Sequence, residues 1–117
     1  MLPTKWLPAL LDVDVDPDAT EEVDLEGNYE FLTVIIPTLG QSSKLEAQIA
    51  MASEGTFYPV WHWDADAAGD FLGQTSSVTT TRAITFNIGG AQFVKVGVEG
   101  TNMSTDVTFY VRGFNRS

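Results

Sequence analysis

Apolar residues follow two regimes along this chain. From Tyr29 onward they recur at every second position in short runs rich in Val, Ile, Thr and aromatics, with Gly, Pro, Asn and Ser between the runs. That period predicts strands. Tyr29 to Ile36 ends apolar on both faces (Leu32, Val34, Ile35, Ile36), as a strand covered on two sides would, and Pro37 closes it. In Lys44 to Ala52, Leu45, Ala47, Ile49 and Met51 alternate with Lys44, Glu46 and Gln48. Its good helix formers make a helix the rival reading, and the period of two favours a strand. Phe57 to Trp63 is interrupted by Pro59 and is expected at an edge. Val78 to Ile88 sets Val78, Ile84, Phe86 and Ile88 against Thr79, Thr81, Thr85 and Asn87. Gly89-Gly90 reads as a turn into Ala91 to Val98, and Glu99 to Asp106 as the loop of a closing hairpin with Val107 to Phe114. Six or more strands and no convincing long helix predict an all-β fold, an antiparallel β-sandwich of jelly-roll type.

Before Tyr29 the pattern differs. Trp6, Leu7, Leu10 and Leu11 form an apolar cluster, and residues 12–30 are dense in acids. Self-repelling segments of this kind stay extended, with a reach of roughly 60 Å for nineteen residues. The expected division is therefore an extended N-terminal arm and acidic tether over residues 1–28 and a β-sandwich over 29–117.

Charge strengthens that division. Residues 1–30 hold nine acids and one lysine, residues 31–117 seven acids and five bases, and the net charge is −10. With no basic stripe to displace counterions from phosphates, direct nucleic-acid contact is not expected. At 117 residues there is room for one core, and with no cysteine the fold must hold by packing and hydrogen bonds alone. No run approaches the roughly 20 apolar residues of a membrane span, and the N-terminus does not read as a signal peptide, so a soluble chain without membrane contact is expected.

Candidate chemistry is sparse. His62 is the only histidine, so a Ser-His-Asp arrangement would have to pass through it, and no Gly-x-Ser-x-Gly elbow supplies a nucleophile. An EF-hand loop begun at Asp12 has Pro17 where glycine is needed and Val23 in place of the closing glutamate. Begun at Asp64, it has Asp66 and Gly69 in place but Ala68 and Thr75 at ligand positions. A non-standard calcium site on Asp64, Asp66 and Asp70 stands beside the plainer reading of an aspartate-rich turn. No enzyme, cofactor or assigned metal site is expected. A glycan-binding alternative uses Trp61, Trp63, Asp64 and Asp66, with rings stacking on pyranose faces; aromatics of small sandwiches more often serve as core.

The arm is the candidate partner-binding element. Burying Trp6, Leu7, Leu10 and Leu11 offers roughly 6–12 kcal/mol gross, against roughly 12–24 kcal/mol of backbone entropy for a dozen ordered residues. Such a cluster either folds back on its own domain or docks elsewhere, and docking, by strand addition or by several arms together, is the expected way to meet the difference.

The layout resembles the small head decoration (cement) proteins of tailed bacteriophages. The likeness lies in the arm, the acidic cysteine-free β domain and the closing segments Phe93-Val94-Lys95-Val96-Gly97-Val98 and Val107-Thr108-Phe109-Tyr110-Val111-Arg112-Gly113-Phe114. It implies a homotrimer, made in the host cytoplasm, that binds the major capsid protein on the outer capsid surface of the virion. A phage tail or fibre module that binds glycans is the alternative it leaves open.

Overall fold

Alternation makes the strands, and the length of two of them makes the fold. The computed structural model describes residues 5–39, 43–64, 69–72, 75, 81–99, 103 and 105–116. The strands are β1 (Leu7–Leu11), β2 (Val23–Ile36), β3 (Lys44–Ala50), β4 (Tyr58–Pro59), β5 (Trp61–Asp64), β6 (Gly69–Leu72), β7 (Arg82–Glu99) and β8 (Val107–Phe114). Among the described residues there is no helix. Six strands form one antiparallel sheet in the order β1-β8-β2-β7-β3-β4, and β5 pairs with β6 as a separate ribbon.

The sheet bends where β2 and β7 shift register. Asp24 pairs with Phe93, yet Tyr29 pairs with Ala91 and Phe31 with Asn87. Extra residues on each strand bulge there, and a bulge bends and twists its strand. Glu26 (φ 63°), Gly89 (φ 66°) and Gly90 (φ 95°) take the left-handed conformations that such a corner requires. One half of the sheet is β1, β8, residues 29–36 of β2 and 82–88 of β7; the other is residues 23–24 of β2, 91–99 of β7, β3 and β4.

Both halves feed a single core. Leu11, Leu32, Val34, Ile36, Phe86, Phe109 and Val111 from the first half join Val23, Leu45, Ala47, Val94, Val96 and Val98 from the second. Residues 18–21 tie the halves together. Thr20 N–H donates to the Val96 carbonyl and Val96 N–H to Thr20 Oγ1, each at 3.0 Å, while Val98 N–H donates to the Asp18 carbonyl at 2.7 Å. Glu21 N–H reaches the Leu10 carbonyl of β1 at 2.8 Å.

The division expected at residue 28 falls inside β2, and residues 7–11 are a strand of the same sheet, paired with β8 from Leu7↔Val111 to Leu11↔Val107. This ladder adds backbone hydrogen bonds to the burial of side chains in holding residues 7–11. The acidic segment is not an extended tether: the Asp12 carbonyl accepts N–H bonds from Val15 and Asp16, and the Asp12 and Asp16 carboxylates accept those of Asp14 and Asp18. Such aspartate-closed turns compete well with extended chain. Gly89-Gly90 bends one 18-residue strand instead of separating two. Nor do β7 and β8 form a hairpin; β2 lies between them, paired to both. The strand expected over Phe57 to Trp63 is split at Val60 into β4 and β5.

Candidate functional site

Strand alternation builds an outward aromatic face on the β1-β8-β2-β7 half. Because Val107, Phe109 and Val111 point into the core, Tyr110, Arg112 and Phe114 point away from it. The same rule turns Phe31, Thr33 and Ile35 outward on β2, opposite buried Leu32, Val34 and Ile36. Register then assembles rows across strands. Pro8, Tyr110, Ile35 and Ala83 lie side by side, as do Phe114, Phe31 and Asn87. Arg112 pairs with Thr33, which pairs with Thr85 through hydroxyls 2.9 Å apart. The guanidinium of Arg112 lies over the Trp6 ring at 5.8 Å, that of Arg116 over Phe31 at 5.4 Å, and Phe31 stacks on Phe114 with centroids 5.1 Å apart.

The four residues expected to dock as an arm separate into two pairs. Trp6 (43% exposed) and Leu10 (36%) belong to this face, with Tyr110 (48%) and Phe114 (37%) beside them. Leu11 is fully buried and Leu7 packs against the core, so both hold β1 in place. Phe31, Tyr110, Arg112 and Phe114 were missed as binding candidates, although the alternation that marks Val107-Phe109-Val111 as core assigns the last three to the opposite face.

The sheet edges are poor templates for a partner strand. β1 and β4 are the outermost strands, and each carries a proline, Pro8 and Pro59. Proline has no N–H to offer an added strand, and on β1 the Leu10 carbonyl is already taken by Glu21. Docking by strand addition is thereby disfavoured relative to docking on the face.

Two hollows lie elsewhere among the described residues. One of about 440 Å³ lies beside the Gly89-Gly90 bend, lined by Ile49, Met51, Tyr58, Ile88 and Phe93 among others. A second, of about 530 Å³, gathers Asp12, Asp16, Glu21, Glu22 and Glu54 around Lys95, whose ammonium lies 4.6 Å from the Phe57 ring centroid. Glu22 caps the neighbouring turn, accepting from Ser53 Oγ and Glu54 N–H at 2.7 Å each. The Asp24 carboxyl is held below the ordinary aspartate range, chiefly by the Gln92 side-chain amide and then by the Glu26 N–H.

Trp61, His62, Trp63 and Asp64 lie on β5, with Trp63 opposite Asp70 of β6; Asp66 lies outside the described residues. Among the described residues no three His, Cys, Asp or Glu side chains come together as a metal site.

No family model matches the chain, and no curated protein matches it. A solved structure, that of the SPBc2 prophage-derived protein YomS, is similar over 95% of this chain and 96% of that one, with 18% identity and a TM-score of 0.49. A likeness of that size carries no statement about what this chain binds.

Proposed function

We propose that this chain is a non-enzymatic structural protein of a tailed-phage virion, and that it binds other proteins through the outward face of the β1-β8-β2-β7 half. The observation that carries the reading is the cluster of Trp6, Leu10, Tyr110 and Phe114, large apolar side chains left partly exposed on one sheet face. Clustered exposure of this kind marks interaction surfaces, and aromatic residues with arginine are the usual anchors of protein interfaces.

The finer reading follows the resemblance to head decoration proteins. On it, the partner is the major capsid protein, the location is the outer capsid surface, and the chain assembles as a homotrimer. We also read the bent sheet as a jelly roll in which β2 and β7 each serve as two strands. Counted so, β1, β8, residues 29–36 and residues 82–88 make one four-stranded layer, and residues 23–24, 91–99, β3 and β4 make the other.

The test is to locate the chain in whole virions by cryo-electron microscopy. Density at symmetric positions on the capsid exterior, with the Trp6 and Tyr110 face against the capsid subunits, supports the reading. Density in the tail, or absence of the chain from purified virions, overturns it.

A further inference from the structure

The outermost strands β1 and β4 are not the whole free edge of the sheet. β3 pairs with β7 only from Ala50↔Phe93 to Lys44↔Glu99, whereas β2 pairs with β7 as far as Ile36↔Arg82. Residues 82–88 therefore have β2 on one side and, among the described residues, no strand on the other. Exposure agrees. Ala83, Thr85 and Asn87 are exposed, while Ile35, Thr33 and Phe31, their partners on β2, are half-buried. On the inner side Ile84 packs against the core yet stays only partly buried, although its partner Val34 is fully buried.

This edge lacks the prolines that blunt β1 and β4. Residues 83–88, Ala-Ile-Thr-Phe-Asn-Ile, hold no proline and no charge, and Ile84, Thr85, Phe86 and Ile88 are residues that favour strands. In an antiparallel strand every second residue turns its N–H and C=O to the same side, so the row facing away from β2 is set out for a further strand. Strand addition, disfavoured at the two outermost strands, has a template here. Where the edge ends, β7 bends at Gly89-Gly90 beside the hollow of about 440 Å³, which leaves room for an added chain.

From this arrangement we infer that residues 82–88 pair with the same residues of a second copy, antiparallel about a two-fold axis at Thr85. Thr85 then faces Thr85 of the second copy, Ile84 its Phe86 and Ala83 its Asn87. The threonine pair repeats a contact Thr85 already makes within the chain, where its hydroxyl lies 2.9 Å from that of Thr33. An isoleucine opposite a phenylalanine is a favourable cross-strand pair, and it covers the side of Ile84 that the chain alone leaves open. No like charges meet, because the one charged residue of the segment, Arg82, falls opposite Ile88. A strand of another protein would meet the same backbone groups; the second copy is favoured because its side chains match pair by pair. The contact is isologous and joins two four-stranded layers into one of eight strands. It lies at the edge of the aromatic face and leaves that face free, so it doubles whatever number of chains a three-fold assembly provides.

The experiment is native mass spectrometry and sedimentation equilibrium of the full chain from micromolar to millimolar concentration, with the variants Thr85→Lys and Thr85→Cys. The native chain should form assemblies with an even number of copies. Thr85→Lys sets two ammonium groups against each other at the axis and should weaken that association by at least about tenfold. The chain has no cysteine, so Thr85→Cys should give a single disulfide between two copies under mild oxidation. Val15→Cys, at a site 73% exposed in a turn, should link far more slowly. Circular dichroism checks that each variant is folded; if Thr85→Lys is not, the disulfide comparison decides. A native chain found only as a monomer or in odd-numbered assemblies overturns the inference. So does undiminished even-numbered association of folded Thr85→Lys, or linkage of Val15→Cys as fast as that of Thr85→Cys.

Discussion

The ring of Tyr29 lies directly over Gly113: a Cβ added to Gly113 would stand 2.6 Å from Tyr29 Cδ2 and 2.7 Å from its Cγ. Gly113 is buried opposite Leu32 on the inner side of β8, so the ring closes the end of the core where a side chain would otherwise project. Gly113→Ala should therefore lower stability by about 1–3 kcal/mol through overpacking. Chemical denaturation measures it, and combination with Tyr29→Ala should cost less than the two single changes summed, because the clash is then absent. Strict additivity would contradict the contact.

β1 belongs to the fold, and its two leucines should show it by opposite behaviour. Leu11→Ala empties a fully buried position and should cost about 2–5 kcal/mol. Leu10→Ala, on the exposed face, should change stability by no more than about 0.5 kcal/mol. Equal and small effects at both positions would mean that residues 7–11 do not pack in solution as they do here.

Gly89 and Gly90 need their backbone conformation, not the space around them. A Cβ at either meets nothing within 4 Å, yet both have positive φ. Gly89→Val should destabilise by roughly 1–2 kcal/mol, and Gly89→Asn by less, because asparagine tolerates the left-handed region. Thermal melts of the two variants distinguish strain from packing: an asparagine cost equal to that of valine would contradict the strain account.

Asp24 gives the fold a pH-dependent term of known sign. Its folded pKa lies below the ordinary 3.8, so its contribution is present above that value and is lost as the pH falls through the folded pKa. The stability advantage of the native chain over Asp24→Asn should accordingly shrink as the pH drops below 3.8. Gln92→Ala should move the Asp24 carboxyl upward in an NMR titration, because the Gln92 amide is the largest cause of the depression. An unchanged titration would assign the shift elsewhere.

Much of the all-β organisation was legible in the sequence because one face of β1, β2, β7 and β8 is dry. Val94-Val96-Val98 and Val107-Phe109-Val111 alternate cleanly, and these residues are core. The pairing of strands was not legible, since alternation specifies faces and not neighbours; β7 and β8 read as a hairpin although β2 separates them. The N-terminal strands were obscured by charge. Val23 and Leu25 alternate with Asp24 and Glu26 just as a half-buried strand should, but four acids among residues 21–26 made the segment read as tether. The candidate face was half visible, through Trp6 and Leu10. Tyr110, Arg112 and Phe114 lie about a hundred residues away in sequence, and only the register of β8 against β1 and β2 brings them together.

The outward face of β1, β8, β2 and β7 is where we propose that this chain meets its partner. The most direct test is the number of copies per purified virion, by quantitative mass spectrometry, for the native chain and for the Trp6→Ala/Tyr110→Ala variant. Circular dichroism and melting should show the variant folded like the native chain, since both side chains lie outside the core. The expected result is a loss of at least tenfold in occupancy; native occupancy by the folded variant would contradict the claim.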